Sequence, residues 1–365
     1  MMLKAIVPIL LFAASALAQQ KGWEKEWNET LAAARKEGRV VVAGSPDPVM
    51  RSDIIPKFTA RYGIPVEFIA GRASQYTAKI KQERAAGIYS VDIYLTGPDT
   101  TALTLYGERL IDPLRPLMIL PEVVDGARWK TGKLWFIDPE EQFVLRVFRS
   151  VGNLLYYNAE HVKAEELRSY KDLLNPKWRG RISTEDPMVS GSGANTAAMT
   201  YVELGPEFVK RLYIDQKPAF SRERRQFTDW LARGTYPICL NCREDDVRPL
   251  RQEGFKLVEV FEMADMSSRV NGSPWLLSYA NKAPHPNAAR VFANWIASRE
   301  GLETYSRGYG SVTLRTDADE SFLNRATIPR AGVRYFDDTD WNWVVTGRRE
   351  AREKVQALLR EHGKK

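Results

Sequence analysis

Strands and helices alternate regularly through the first third of the chain, and this alternation constrains the fold more than any other feature. The strand RVVVAG leads into the helix MRSDIIPKFTARYG, which is followed by the strand IPVEFIAG, the helix SQYTAKIKQERAAG and the strand VDIYLTG. Runs of β-branched residues separated by helical periodicity predict strand–helix–strand units. Such units build a largely parallel sheet flanked by helices, so the sequence predicts an α/β fold.

Each of these strands ends in a loop of small polar residues. Ser45 and Asp47 follow the first strand, Arg72 follows the second and Thr96 ends the third. In an open parallel sheet the loops at the carboxyl ends of the strands line one crevice, where ligands bind. We therefore expect a binding cleft at this edge, although the same residue types are also ordinary turn formers.

A second α/β region is predicted beyond residue 203. Consecutive extended segments from residue 134, in LWFIDPEEQFVLRVFRSVGNLLYYN, separate it from the first region. A chain of 365 residues, 44% of them hydrophobic, is long enough for two domains. The sequence contains no internal repeat or Gly/Ser linker, so strands are expected to join the two lobes.

The N-terminus has the pattern of a secretory signal peptide. Lys4 precedes the apolar run AIVPILLFAASA, and Ala16-Leu17-Ala18 forms a small-residue cleavage motif. Residues 1–18 are therefore left out of the predicted fold, with cleavage after Ala18. The apolar run is shorter than the roughly 20 residues that span a bilayer. We expect an exported, periplasmic protein, and no Cys follows the cleavage site to carry a lipid anchor.

Charge and cysteine content bear on the classes of partner. The formal net charge is +7, but Lys and Arg alternate with Glu and Asp as on solvated helix faces, and no nucleic-acid-binding motif is present. Cys239 and Cys242 favour a local structural disulfide over a redox site. Two Cys without two further clustered ligands do not complete a zinc site. We predict no metal and no cofactor.

A loop rich in Ser and Gly, MVSGSGAN, precedes a predicted helix of the second region. Ser190, Gly191 and Ser192 would present hydroxyl and free backbone N–H groups at the helix N-terminus, where the helix dipole favours an anion. An ordinary N-cap turn without a ligand is the alternative. The loop is not a P-loop, because the Gly-Lys-Ser/Thr ending is missing.

The order of these segments resembles the periplasmic solute-binding proteins of ABC transporters, in particular the ferric-iron-binding branch. The resemblance covers most of the mature chain and rests mainly on SYKDLLNPKWRGRIS and APHPNAARVFANWIASREGLETYSR. It implies the type II periplasmic binding fold, with two α/β lobes, each a mixed and mainly parallel sheet flanked by helices, joined by crossing hinge strands. Lobe one would comprise residues 22–145 and 270–315, and lobe two residues 146–269 and 316–365.

The resemblance implies a binding protein and not an enzyme. Two lobes would close on a small molecule by hinge motion, and an ABC permease in the inner membrane would recognise the closed form of a monomer. A sensor receptor is the alternative partner. A secreted hydrolase is the alternative of another class, but no Gly-x-Ser-x-Gly elbow is present and the three His residues have no evident nucleophile partner.

One feature of the ferric-binding branch is missing. Its members hold iron with an adjacent Tyr-Tyr pair after the strand that here reads YPICLN, and the stretch CLNCREDDVRP has no such pair. Tyr156 and Tyr157 follow each other on a strand and point to opposite faces, so we predict core or hinge aromatics. The predicted cargo is a small polar organic solute with an anionic group, and ferric iron or a ferric chelate is the alternative.

Arg72 is the predicted partner of the anionic group, because a guanidinium binds a carboxylate or phosphate through two hydrogen bonds. A solvated surface position is the alternative role for Arg72 and also for Arg222. For Gly272 and Ser273 the alternative is an ordinary turn. The further candidates for ligand contact are Arg222, Asn241, Gly272 and Ser273.

Overall fold

The computed structural model describes residues 7–71, 73–189, 191–271 and 275–363, and their side chains except those of residues 7–21, 73–76 and 245. The chain forms two compact units. Unit 1 comprises Met1–Arg149 and Gly272–Asn324, and unit 2 comprises Ser150–Asn271 and Arg325–Lys365. None of the helices in the described part of the chain is long and apolar enough to cross a membrane.

The regular elements are numbered here in chain order. The helices are α1 (Val7–Glu37), α2 (Ile55–Tyr62), α3 (Ala73–Ala85), α4 (Pro121–Val124), α5 (Ser192–Leu204), α6 (Pro206–Lys210), α7 (Arg224–Ala232), α8 (Glu244–Gln252), α9 (Pro286–Ala297), α10 (Arg299–Tyr309) and α11 (Arg348–His362). The strands are β1 (Val40–Gly44), β2 (Val66–Ala70), β3 (Ile93–Thr96), β4 (Ile111–Asp112), β5 (Trp135–Phe136), β6 (Val144–Arg146), β7 (Ser150–Gly152), β8 (Leu155–Asn158), β9 (Ile182–Glu185), β10 (Ala219–Ser221), β11 (Ile238–Cys239), β12 (Leu257–Val260), β13 (Ser268–Asn271), β14 (Leu276–Ala280) and β15 (Tyr335–Asp337).

The sheet of unit 1 has seven strands among the residues that the structure describes. Six follow the order β2-β1-β3-β14-β6-β5, and β4 pairs with β14. β1 runs parallel to β2 and β3, and the other pairs are antiparallel. Every residue of β1 and β3 is buried, which is the pattern of strands covered on both faces.

Unit 2 contains two sheets in its described residues. The larger has the order β10-β9-β11-β8-β12, in which β9 runs parallel to β10 and β11, and β8 runs antiparallel to β11 and β12. The smaller has the order β15-β13-β7. Strand β7 begins directly after the first boundary between the units and β13 ends at the second, and these two strands pair antiparallel.

The predicted strand–helix alternation is present, but parallel pairing is less extensive than expected. In the two main sheets it involves only β1 with its two neighbours and β9 with its two neighbours, so both are mixed rather than mainly parallel, and in the small sheet β13 runs parallel to β15. Segments that return from a distant part of the chain, such as β14, enter these sheets antiparallel. The compact units divide after residues 149, 271 and 324, whereas the predicted lobes divide after 145, 269 and 315, and those lobe limits stay a prediction.

The core of unit 1 ties the C-terminal part of that unit to its N-terminal part. Phe58 of α2 packs against Trp295 of α9, with ring centroids 5.4 Å apart. Glu37, the last residue of α1, accepts hydrogen bonds from the backbone N–H groups of Asn287 (3.2 Å) and Ala288 (2.7 Å) at the start of α9. A carboxylate is favourable there because a helix N-terminus carries unpaired donors and a partial positive charge. α1 begins within the predicted signal peptide, whose cleavage stays a prediction.

Candidate functional site

A pocket opens in unit 1 beside the carboxyl end of β1. It is lined by the turn residues 45–47 and by Phe68, Leu95, Trp275 and Tyr309, which other segments of the unit contribute. Its empty volume is about 350 Å³, and part of this volume is open to solvent. The pocket lies at the edge where the sequence predicted a cleft, because the loops after parallel strands meet there.

Gly44 ends β1 at this pocket and permits a close approach between strands. A Cβ atom on residue 44 would lie 2.6 Å from the carbonyl oxygen of Leu95 and 3.5 Å from the ring of Phe68. Glycine therefore lets β1 lie against β3 and sets the position of both wall residues. This is the local reason that the chain carries Gly at the end of the strand.

Asp47 is the one charged side chain among the described residues that line the pocket. Its Oδ1 accepts hydrogen bonds from the backbone N–H groups of Val49 (2.9 Å) and Met50 (3.3 Å), and its Oδ2 accepts one from the hydroxyl of Tyr305. The first two bonds form an Asx turn at the entry to the π-helical turn Met50–Ile54. Three donors therefore fix the orientation of this carboxylate.

Tyr305 lies behind Asp47 and is completely buried. Burial, followed by the negative charge of Asp47, raises the pKa of the Tyr305 hydroxyl well above its usual range. The hydroxyl therefore stays protonated at physiological pH and donates to Asp47.

Aromatic rings form much of the pocket wall. Trp275 is buried and packs edge-on against Tyr305, with ring centroids 5.4 Å apart. Tyr309 follows Tyr305 by one turn of α10, at 5.7 Å between ring centroids, and is 44% exposed. The guanidinium of Arg51 lies 5.5 Å from the centroid of the Phe68 ring. The pocket thus combines three aromatic rings with one fixed carboxylate.

Only some of the ligand-contact residues predicted in lobe one lie together at this pocket. Ser45 and Asp47 line the pocket. Thr96 is buried, and its hydroxyl is 2.6 Å from that of Thr101, so this residue packs inside the sheet edge and not in the pocket wall. The predicted ligand residues that lie outside the described part of the chain, and whose roles stay predictions, are Arg72, Ser190, Gly272 and Ser273.

Sequence reasoning missed Phe68, Trp275 and Tyr309. One signal was available, because Tyr305 and Tyr309 stand four residues apart in ETYSRGYG and so share one face of a helix. Nothing in the local pattern indicates that this face meets a turn some 260 residues earlier. That proximity arises from the tertiary packing of α10.

In unit 2 the Ser/Gly loop leads into α5, which begins at Ser192. The Ser192 hydroxyl and the backbone N–H of Gly193 (2.9 Å) both donate to Oε2 of Glu185, the last residue of β9. Gly191 is exposed directly before the helix. The chain's own carboxylate thus occupies donors that the sequence assigned to a ligand anion, and ligand contact by Gly191 and Ser192 stays a prediction.

Asn241 supports this loop from the interior. Its Oδ1 accepts hydrogen bonds from the Thr184 hydroxyl (2.6 Å) and the Glu185 backbone N–H (3.1 Å), and its Nδ2 donates to the Thr196 hydroxyl (2.9 Å). The side chain is buried. Asn241 therefore joins the end of β9 to α5, and its contact with a ligand stays a prediction.

The remaining predicted residues of unit 2 have partners within the protein. Arg222 is 69% exposed at its side chain and pairs with Asp186 at 3.1 Å. Cys239 and Cys242 are joined in a disulfide, and both are buried. The disulfide closes the short turn that carries Asn241, so it contributes to the placement of that side chain.

Tyr156 and Tyr157 belong to two different hydrophobic clusters of unit 2. Among the described residues, no group of three or more His, Cys, Asp or Glu side chains is placed to hold a metal ion. Because neighbouring strand residues point to opposite faces, the two rings do not meet at one ion. The prediction that they are core residues is confirmed.

Glu259 shares a partly exposed polar cluster with the buried Tyr156. The Tyr156 hydroxyl is 2.6 Å from Oε1 of Glu259 and 3.1 Å from Oε2 of Glu244, which also pairs with Arg251 at 2.9 Å. Burial raises the pKa of the Glu259 carboxyl above its ordinary value of 4.5, and the charge of Glu244 acts in the same direction. A carboxyl with a raised folded-state pKa contributes stability that is complete below the unfolded pKa and is lost as pH rises through the folded pKa.

We therefore expect the free energy of unfolding of Glu259→Gln to exceed that of the unsubstituted protein by an amount that grows as pH increases from 4.5 to 8. Each unit by which the folded pKa exceeds the unfolded one corresponds to about 1.4 kcal/mol. Gln keeps an acceptor for the Tyr156 hydroxyl. Chemical denaturation across this pH range measures the difference, with Glu253→Gln, at the exposed position directly after α8, as the matched control. A difference that does not grow with pH would contradict the assignment.

A family model described as "Bacterial extracellular solute-binding protein" matches residues 53–327, which is more than half of the chain. Among curated proteins, "Iron uptake protein A1" of Synechocystis sp. is 29% identical over 131 residues, which are 36% of this chain and 33% of that protein. The match therefore spans about a third of the length of this curated relative.

Solved structures share the fold over nearly the whole chain. IdiA (FutA) of Trichodesmium, in complex with iron and citrate ligands, has a TM-score of 0.64 at 16% identity, covering 90% of this chain and 100% of that chain. The periplasmic binding protein AfuA from Actinobacillus pleuropneumoniae, with exogenous fructose-6-phosphate bound, has a TM-score of 0.63 at 18% identity, covering 90% and 99%. These likenesses confirm the predicted α/β fold class with its two mixed-sheet units.

Proposed function

Because the chain belongs to the family of bacterial extracellular solute-binding proteins, we propose that it captures a small solute in the periplasm and delivers it to an ABC permease. The observation that carries the proposal is the pocket at the carboxyl end of β1, where Asp47 and aromatic side chains converge. Ligands of α/β proteins bind at this edge of the sheet. A site of aromatic side chains with a few fixed polar groups is typical of small-molecule binding.

The proposed cargo is a small polar organic molecule. The anionic group expected from the sequence depended on Arg72 and Ser190, which lie outside the described residues, and on α5 donors that here bind Glu185. The described lining of the pocket contributes a carboxylate and three aromatic rings instead. The proposal therefore keeps an organic solute and leaves out the anionic group.

Ferric iron or a ferric chelate is the second candidate cargo. It is favoured by the curated relative named for iron uptake and by the solved structure that contains iron and citrate. Among the described residues that line the pocket, no second carboxylate and no His accompanies Asp47, which weighs against direct ferric ligation there but not against a chelate that brings its own ligands.

The mode of action follows from the proposed class. Units 1 and 2 would serve as the two lobes, and a ligand that contacts both would stabilise a closed form by its higher affinity for that form. The permease would then distinguish the loaded from the empty protein. In this proposal the protein acts as a monomer, is exported by the segment ending at Ala18, and carries out no chemistry on its ligand.

A thermal-shift screen tests the proposal. The chain is expressed with its own N-terminal segment, purified from the periplasm of the host, and heated with organic cations, organic anions, sugars, sugar phosphates and ferric citrate. A solute that binds only the native state at 100 times its Kd stabilises the protein by about 2.7 kcal/mol, so the melting temperature must rise. No shift with any solute class would contradict the proposal.

A further inference from the structure

The pocket beside β1 has a composition that suits a positive charge. We propose that it binds the cationic nitrogen group of a small organic solute, a quaternary or protonated amine, and this inference rests on the proposed function. Among the described residues that line the pocket, no side chain is cationic and Asp47 is anionic. An organic anion at the same place would meet the charge of Asp47 without a described partner in the lining.

The carboxylate of Asp47 is prepared to face a cation. Its three donors come from Val49, Met50 and Tyr305, and they hold it in one orientation before any ligand arrives. A carboxylate offers about four acceptor positions, so acceptor capacity remains after these three bonds. None of the three donors carries a full positive charge, so the negative charge at the pocket stays uncompensated by them.

The aromatic wall favours the same class of ligand. The electron-rich face of a Trp, Tyr or Phe ring attracts a cation within about 6 Å of its centroid, and the attraction is stronger where water is excluded. Phe68, Trp275 and Tyr309 all line the pocket, and Trp275 is buried. The guanidinium of Arg51 already lies 5.5 Å from the Phe68 ring centroid, so a ligand cation would depend mainly on Trp275 and Tyr309.

The size of the pocket limits the solute to a small head group. Its empty volume of about 350 Å³ includes space open to solvent, so the enclosed part is smaller than this. A trimethylammonium group is compact enough for such a space, and it brings no hydrogen-bond donors that would need further acceptors. Charge and ring contact are then the features that decide affinity.

Choline and its neutral carbon isostere, 3,3-dimethylbutan-1-ol, test the inference, because they share one shape and differ in charge. Isothermal titration of the exported protein is expected to show saturable binding of choline, with an affinity at least about tenfold above that of the isostere. Tetramethylammonium serves as a second cationic probe. Equal affinity for choline and the isostere would overturn the inference, and so would absence of binding by both cations.

Two variants place the binding at this pocket. Asp47→Asn is expected to weaken choline binding by about tenfold or more, since it removes the charge while keeping an acceptor oxygen. Asp53→Asn, on the neighbouring π-helical turn and outside the pocket lining, is the matched control and should bind as the unsubstituted protein does. Unchanged affinity in Asp47→Asn would overturn the inference.

Tyr309→Leu keeps the test valid should Asp47→Asn fold poorly. Tyr309 is 44% exposed, so its replacement disturbs the core little, and we expect a severalfold loss of choline affinity. Phe322→Leu is the control, because this ring is similarly exposed in the same unit and does not line the pocket. Equal affinity in the two variants would count against the inference.

The inference and the proposed function fail in different ways. A response to organic anions or ferric citrate with none to choline or tetramethylammonium would overturn the cationic pocket and leave a solute-binding protein. No response to any solute class would overturn the proposed function itself. Choline binding that needs both Asp47 and Tyr309 would support both.

Discussion

Replacing Asn241 by Ala is expected to lower the free energy of unfolding by about 3 kcal/mol. The substitution removes all three hydrogen bonds of a buried amide and leaves the Glu185 backbone N–H and the Thr196 hydroxyl without that partner. A buried donor or acceptor that loses its partner costs about 1–3 kcal/mol. Denaturant titration of the oxidised protein, followed by far-ultraviolet circular dichroism, measures the change.

Asn153→Ala is the matched control for this prediction. Asn153 lies in the same unit and is only partly buried, and the one bond of its side chain that the structure describes is a long 3.5 Å contact with the Cys242 carbonyl. We expect a loss below about 1 kcal/mol there. Similar losses in the two variants would contradict the account of Asn241 as the link between β9 and α5.

Gly193→Ala is expected to cost about 2 kcal/mol. A Cβ atom at this position would lie 2.6 Å from the Glu185 carbonyl oxygen and 2.7 Å from the Glu185 Cβ. These atoms belong to the backbone and the root of a side chain at the end of β9, so relief requires α5 to move away from the strand. Overpacking of this kind typically costs about 1–3 kcal/mol, although Ala gains up to about 1 kcal/mol in helix propensity.

Gly97→Ala provides the comparison within unit 1. An added Cβ there meets nothing within 4 Å, and the φ of residue 97 is outside the left-handed region. This variant should be neutral or stabilised by a few tenths of a kcal/mol, because Ala restricts the unfolded chain. Thermal and chemical denaturation of both variants, side by side, check the prediction. A Gly193→Ala variant as stable as Gly97→Ala would show that α5 does not need its close contact with Glu185.

Asn241→Ala and Gly193→Ala both concern the contact between β9 and α5, which the sequence pattern could not indicate. The Ser/Gly loop was correctly placed before a helix, because Ser and Gly are strong N-terminal signals. The partner of the loop was missed because Glu185 precedes Ser192 by seven residues, across a turn, and standard capping motifs place the carboxylate within the first helical turn. Only the packing of β9 against α5 brings this carboxylate to the helix N-terminus.

The fold class was predictable because strand and helix periodicities are local properties of the chain. β1 and β3 contain runs of apolar residues that are buried on both faces, and the helices between them end at glycines such as Gly63. The direction of strand pairing was less predictable. β14 joins β3 antiparallel from about 180 residues away, and no local pattern determines that partner.

Part of the candidate site could be predicted from local sequence, and part could not. Ser45 and Asp47 follow a strand in the sequence, so their place at the sheet edge could be inferred. Thr96 was assigned to the cleft by the same logic, but its side chain points into the sheet edge toward Thr101. Trp275 and Tyr309 reach the pocket from distant segments. In the sequence they stand only as aromatic residues, one directly before strand β14 and the other at the end of helix α10.

The proposed function requires that this chain bind a solute and leave it unchanged. Equilibrium dialysis of the exported protein against a solute that raises its melting temperature, followed by mass spectrometry of both compartments, tests this most directly. We expect saturation at one molecule per chain and full recovery of the solute at its original mass. Consumption of the solute, with product accumulating in proportion to time and protein, would rule out the proposed function and identify an enzyme.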